Sequence, residues 1–154
     1  MSTRRIYQNK YPYLVTSNVI ERFHVFDDDR FAGEISDLFL QGEKIYKYNL
    51  FSFVIMPDHF HFLLKTAESN DLSKIMQKIK SIFYKNIREK YLFKDKIWQK
   101  SFDFRIKDNK ELFMESIAYI KNNPIKWQLP EKYSKIPYIY FNNKKIDEQK
   151  NKYS

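Results

Sequence analysis

The sequence predicts an α+β fold, in which helices pack on an antiparallel sheet. Short segments rich in aromatic and β-branched residues are interspersed with longer segments of helical periodicity, and two of the strand segments follow each other across a short turn. With 154 residues, of which 43% are hydrophobic, the chain can bury one core. We therefore expect a single domain over residues 1–141, followed by a polar tail at residues 142–154 that frays.

The elements are predicted in the order β, α, β, β, α, β, α. Asp27–Asp29 offers an N-terminus for the first helix, Pro57 and Asp58 form the turn of a hairpin, and Pro124 ends the last helix. This order matches the ferredoxin-like (RRM-like) split β-α-β sheet. In chain order we predict strand 11–17, helix 31–46, strand 50–56, strand 59–65, helix 71–91, strand 101–107 and helix 109–123.

The composition excludes several classes of protein. Gly33 and Gly42 are the only two glycines, so no phosphate-binding loop or dinucleotide fingerprint can be written along the chain. The absence of cysteine excludes disulfides, zinc fingers of cysteine ligands, thiol nucleophiles and iron–sulfur clusters. No apolar run resembles a signal peptide or a membrane span, so we expect a cytoplasmic protein without a membrane partner.

The charge distribution favours a nucleic-acid partner. Lys and Arg number 28 against 19 Asp and Glu, which gives a net charge of +9. Residues 74–107 hold eleven basic and three acidic residues together with seven aromatic ones. Basic residues interleaved with stacking aromatics are typical of proteins that bind single-stranded nucleic acid.

Two histidines of the predicted hairpin form the first chemical motif. Alternate residues of a strand share a face, so His59 and His61 point the same way and can bind one metal ion, while Phe60 and Phe62 enter the opposite face. An isolated His-x-His pair is more often a surface feature. Here it occupies an otherwise hydrophobic hairpin, which has no packing reason to carry two imidazoles.

A tyrosine and an asparagine on the last helix form the second motif. Residues four apart share a helix face, so Tyr119 and Asn123 are neighbours. Spacing alone equally allows Asn123 to be only a helix cap before Pro124 and Tyr119 to be one of 12 unremarkable tyrosines.

The two motifs occur together with two others in a characteristic order. They are Met56–Leu64 (MPDHFHFLL), Leu72–Met76 (LSKIM), Ile97–Gln99 (IWQ) and Tyr119–Pro124 (YIKNNP). In this respect the chain resembles the single-tyrosine HUH transposases, especially the REP-associated type and its insertion-sequence relatives, over about residues 11–127.

The resemblance implies a metal-dependent strand transferase with its HUH motif on a central strand and its nucleophile on a late helix. His59 and His61 would bind Mg²⁺ or Mn²⁺, and Tyr119 would attack single-stranded or hairpin DNA to form a 5′-phosphotyrosine. Asn123 would complete the metal site; relatives often carry glutamine there, so direct and water-mediated contacts are both open. Tyr84, on a basic helix, is the rival nucleophile.

Other readings stay open at this stage. A catalytically silent or domesticated DNA- or RNA-binding module would keep the same fold and basic surface, whereas histidine-dependent phosphohydrolases need further histidines that are absent. A homodimer is the default expectation for assembly.

Lys121 and Lys126 flank Tyr119, where they can bind DNA or lower the pKa of the phenol. The predicted DNA-binding residues are Lys74, Lys78, Lys80, Lys85, Arg88, Arg105, Lys121 and Lys126.

Overall fold

A computed structural model describes residues 5–153 as one antiparallel sheet with helices on both faces. None of the helices in this part of the chain is long and apolar enough to cross a membrane. The strands are β1 (Tyr13–Asn18), β2 (Asn49–Met56), β3 (His59–Lys65), β4 (Asp103–Ile106) and β5 (Ile139–Phe141). The α-helices are α1 (Asp29–Tyr46), α2 (Asp71–Tyr91), α3 (Lys110–Lys126) and α4 (Asn143–Lys150).

The sheet has the strand order β4-β1-β3-β2-β5, and every neighbouring pair is antiparallel. The first four strands reproduce the ferredoxin-like arrangement, so the predicted fold class is confirmed, and β5 adds a fifth strand beside β2. The strand that carries the histidine pair, β3, lies at the centre. Both of its edges are therefore paired with neighbouring strands.

The alternation of side chains along β3 divides the protein into two cores. Phe60 and Phe62 point to one face, where α1 and α2 pack over a core that includes Phe39. Leu63 points to the other face, where it meets Phe113 and other apolar residues of α3 and α4. His59 and His61 share the face of Leu63 and therefore lie on the side of α3.

Helix α3 begins as predicted but ends later. The Asn109 side chain caps it by accepting a hydrogen bond from the Leu112 N–H at 2.8 Å. The prediction that Pro124 ends the helix is wrong, because α3 continues to Lys126. Proline forfeits only its own N–H bond, and the chain beyond it is secured by the Trp127 N–H, which donates to the Asn123 carbonyl at 3.2 Å.

The expectation of a frayed tail at residues 142–154 is also wrong for residues 142–150, which form α4 and its cap, whereas Ser154 lies outside the described residues. Asn142 caps α4, its side chain accepting from the Lys145 N–H at 3.1 Å. Ile146 of α4 is 5% exposed and joins the core under α3, and Lys145 pairs with Glu43. Ile146 is the single apolar residue of α4, and it holds this short helix against the hydrophobic face of the sheet.

Candidate active site

The histidine pair lies in a cleft of about 510 Å³ between the sheet and the end of α3. Its floor is formed by β1 and β3, in which Thr16 is paired with His61 and Asn18 with His59. Tyr119 and Asn123 of α3 form one wall. The four residues predicted for the metal and the nucleophile are thus brought together from two elements that are distant in the sequence.

His59 is oriented by a carboxylate that belongs to the hairpin turn. Its Nδ1 lies 2.6 Å from Asp58 Oδ1, and Asp58 Oδ2 accepts a hydrogen bond from Arg22 Nε at 2.8 Å. Burial alone would raise the pKa of Asp58, but the hydrogen bonds from Arg22 and His59 outweigh it and lower that pKa. Because an ionised carboxylate only accepts hydrogen bonds, Nδ1 of His59 carries the proton and Nε2 keeps a free lone pair.

His61 is buried more deeply, and among residues 5–153 it has no acidic partner. Its Nδ1 lies 2.8 Å from Thr16 Oγ1, which leaves Nε2 to face the cleft. Burial, with smaller contributions from His59 and Arg22, lowers the pKa of His61 to about 3. Burial also lowers the pKa of His59, although Asp58 opposes the shift. Both imidazoles are therefore neutral near pH 7, the state in which histidine binds a metal ion.

Tyr119 brings a hydroxyl to the same nitrogen. The distance from Tyr119 Oη to His61 Nε2 is 3.4 Å, and the two rings meet edge to face with centroids 5.0 Å apart. The side chain is 47% exposed, so a large ligand can reach the hydroxyl from solvent. Tyr84, in contrast, lies on α2, half-buried against the core on the opposite face of the sheet.

Asn123 is not a helix cap. It lies inside α3, is 3% exposed, and its amide nitrogen is buried without a hydrogen-bond partner among the described residues. An unpaired buried amide costs about 1–3 kcal/mol. A structural role does not account for this cost, whereas a ligand in the cleft would give the amide a partner.

The predicted DNA-binding residues are distributed over both faces of the sheet. Arg105 lies next to Leu14 on the face of the histidine pair, and Lys121 and Lys126 are exposed on α3. Lys80 is half-buried on the other face, where its Nζ donates to the Gln99 carbonyl at 3.2 Å. Four exposed cations of α2 lie on that second face as well: Lys74, Lys78, Lys85 and Arg88.

Several residues of the cleft were not predicted from the sequence, among them Thr16, Arg22 and Trp127. Thr16 and Arg22 contact the histidine system only because β1 and the loop after it pack beside the hairpin. Trp127 lines the cleft from just beyond α3. Strand alternation could have suggested Thr16, since it shares a face with the pair once the β1–β3 register is known, but no local pattern specifies that register.

A family model described as "Transposase IS200 like" matches residues 7–123, about three quarters of the chain. The chain belongs to the IS200-like transposase family. This confirms the resemblance to single-tyrosine HUH transposases and gives the protein a transposase-like function. No curated protein matches the chain.

Solved structures agree with the family on the level of the fold. A REP-associated tyrosine transposase bound to a REP hairpin superimposes with a TM-score of 0.73 at 21% identity, covering 90% of this chain and 81% of the other. A putative transposase from Deinococcus radiodurans gives a TM-score of 0.55 at 18% identity, covering 79% of this chain and 97% of the other. A bacterial tRNA(His) guanylyltransferase-like protein in complex with GTP gives a TM-score of 0.54 at 14% identity, covering 85% of this chain and 76% of the other. The fold is thus shared by different chemistries, and the chemistry must be inferred from the cleft.

Proposed function

We propose that this IS200-like transposase is a metal-dependent DNA strand transferase that cleaves and rejoins single-stranded or hairpin DNA through Tyr119. The observation that carries the proposal is the position of the Tyr119 hydroxyl, 3.4 Å from the cleft-facing nitrogen of His61. A nucleophilic hydroxyl next to two neutral imidazoles that can bind a metal ion forms a suitable site for attack on a phosphodiester.

The residues of the cleft fit a divalent cation. Nδ1 of each histidine lies beside a protein oxygen, which leaves Nε2 to bind a metal ion, the usual division of roles in metal-binding imidazoles; in His61 that nitrogen also has the Tyr119 hydroxyl 3.4 Å away. Among the described residues no cluster of three His, Cys, Asp or Glu occurs, so Asn123 would provide the third protein contact, directly or through water. Nitrogen-rich ligands favour Mn²⁺ at least as much as Mg²⁺.

When bound, the cation would act as a Lewis acid that polarises the scissile phosphate. The chain itself supplies the nucleophile: the Tyr119 oxygen forms a bond to phosphorus, and the bond from phosphorus to the 3′ oxygen breaks. The phenolic proton passes to solvent, and the departing 3′ oxygen takes up a proton. The products are a 5′-phosphotyrosine and a free 3′-hydroxyl, and rejoining needs no nucleotide cofactor because the covalent link retains the phosphodiester's energy.

DNA is the partner that the charge favours. The net charge of +9 and the exposed cations on α2, α3 and β4 suit a polyanion, and the REP-associated relative was solved bound to a REP hairpin. We expect hairpin or single-stranded DNA to bind more tightly than plain duplex, with an affinity that falls steeply with salt. Equal competition of labelled hairpin DNA by unlabelled duplex would contradict this preference.

The nucleophile is tested by removing one hydroxyl at a time. Tyr119→Phe keeps the ring and its packing, so the variant should fold and bind DNA but form no protein–DNA adduct on a denaturing gel in the presence of Mn²⁺. Tyr84→Phe is the matched control and should still form the adduct. An adduct that survives Tyr119→Phe would refute the assignment.

A binding-only module is the competing outcome of the same experiment. It predicts that the wild type binds DNA but forms no adduct with any hairpin or single strand tried. The homodimer stays a prediction, which light scattering of the free protein and of its DNA complex would check.

A further inference from the structure

Trp127 is an exposed indole at the rim of the candidate active site. It is 64% exposed and lines the cleft that holds the histidine pair and Tyr119. Tryptophan is rarely so exposed, because its large apolar ring gains from burial. Within residues 5–153 it belongs to neither hydrophobic core, so packing does not explain its position.

The backbone around Trp127 is firmly held even though the ring is not. The Trp127 N–H donates to the Asn123 carbonyl, and the Leu129 N–H donates to the Pro124 carbonyl at 3.0 Å. Gln128 between them adopts a left-handed conformation with φ of 52°, which costs a non-glycine residue about 1–2 kcal/mol. The ring is thus presented at the cleft by the C-terminal turn of α3, whose backbone is hydrogen-bonded on both sides of Trp127.

The loop after β1 also contributes exposed side chains to the cleft. Arg22 and His24 line the cleft from this loop, and their side chains are 51% and 64% exposed. Glu21 and Arg22 both have left-handed φ values, 52° and 58°. Strained non-glycine residues persist where the surrounding structure holds them for a purpose, often a ligand contact.

The charges near the ring indicate an anionic ligand with an aromatic part. Lys126 Nζ lies over the Trp127 ring, 5.8 Å from its centroid, and Arg22, whose Nε is bonded to Asp58, lines the same cleft. An exposed aromatic ring in a cleft that also holds cations is an arrangement that binds single-stranded nucleic acids, with bases on the ring and phosphates on the cations. A neutral or acidic protein surface would leave one of these features without a partner.

We propose that Trp127 is the platform on which a nucleobase next to the scissile phosphodiester stacks, with Arg22 and His24 lining the same cleft. The inference rests on the proposed function, since it assumes a DNA substrate in the cleft. Stacking tolerates any base, so the platform orients the strand for Tyr119 without selecting its sequence. Trp127 is thus a positioning residue.

The two tryptophans of the chain allow a direct optical test. In the Trp98→Phe variant, all tryptophan fluorescence comes from Trp127. In the Trp127→Phe variant, it comes from Trp98, which is half-buried beside α2. Each variant is combined with Tyr119→Phe to prevent cleavage and titrated with an unlabelled single strand of mixed sequence, about 20 nucleotides long. Anisotropy of the same strand carrying a fluorescent label measures the fraction bound, and thermal unfolding verifies the fold.

The expected result is strong quenching of Trp127 as the strand saturates, with little change at Trp98. In the same Tyr119→Phe background with Trp98 intact, Trp127→Ala should weaken strand binding about tenfold, equivalent to about 1.4 kcal/mol, whereas Trp127→Phe should retain most of the affinity. A merely structural role for Trp127 would not produce the quenching.

Two outcomes would overturn the platform, and they differ in what they say of the proposed function. If the fluorescence of Trp127 is unchanged when the strand saturates the protein, or if only Trp98 responds, the stacking role of Trp127 is refuted while the proposed binding of DNA is retained. Absence of any anisotropy change with single-stranded or hairpin DNA would refute the proposed DNA substrate and the platform with it.

Discussion

Replacing Asp58 by asparagine tests how the cleft prepares its histidines for a metal ion. Asp58 accepts one hydrogen bond on each carboxylate oxygen, from His59 at 2.6 Å and from Arg22 at 2.8 Å. Asparagine has a similar shape but only one acceptor oxygen, and its amide group donates. The variant can therefore satisfy either His59 or Arg22, and the other donor loses its partner.

The expected magnitude follows from this geometry. The side chains of Asp58 and His59 are 17% and 15% exposed, so water compensates little for the lost bond. A hydrogen bond to a charged group is worth about 1.5–3 kcal/mol, and removal of such an orienting partner typically lowers metal affinity about 10- to 100-fold. We expect Asp58→Asn to weaken Mn²⁺ binding within that range and His59→Ala to abolish it.

Calorimetric titration of the purified protein with Mn²⁺ measures this effect without any DNA. Asp95→Asn is the matched control, because Asp95 is exposed and forms no ion pair among the described residues. Thermal unfolding separates a lost metal site from a lost fold. An unchanged Mn²⁺ affinity in a folded Asp58→Asn protein would refute the reasoning.

Further substitutions test the packing, each by urea unfolding. In α1, Gly33→Ala should stabilise the fold by about 0.5–1 kcal/mol, because a Cβ there meets nothing within 4 Å. Gly42→Ala should destabilise it by about 1–3 kcal/mol, because its Cβ would lie 2.7 Å from the Tyr48 hydroxyl; a shift of the same sign at both glycines would contradict this. Ile146→Ala should cost about 2–5 kcal/mol, and a cost no larger than that of exposed Lys144→Ala would mean that α4 contributes nothing to the core.

Several features were predictable because they depend on neighbouring residues alone. The helix predicted at residues 71–91 is α2 with the same bounds, and Asn109, the first residue of the last predicted helix, caps α3. The shared face of His59 and His61 follows from the two-residue period of a strand. Likewise, Tyr119 and Asn123 share a cleft because they are four residues apart on one helix.

The errors concern segments whose local signals were weak or were overridden by packing. Residues 142–154 look polar in sequence, yet Ile146 is buried because the sheet offers an apolar surface that residue composition cannot reveal. Strand β5 has three residues and pairs only with β2, so no alternation is long enough to mark it. The prediction that Pro124 ends the last helix failed because a proline near the end of a helix removes only one backbone hydrogen bond.

The sequence by itself determined which side chains share a strand face or a helix face, and with them the histidine pair and the tyrosine with its asparagine. Only the tertiary structure decided that these two sets meet, since Tyr119 reaches His61 across 58 residues of chain. The same holds for Thr16 against His61 and for Arg22 against Asp58. Local patterns follow from backbone periodicity, whereas contacts between distant segments depend on strand register and on how α3 packs against the sheet, which no single segment encodes.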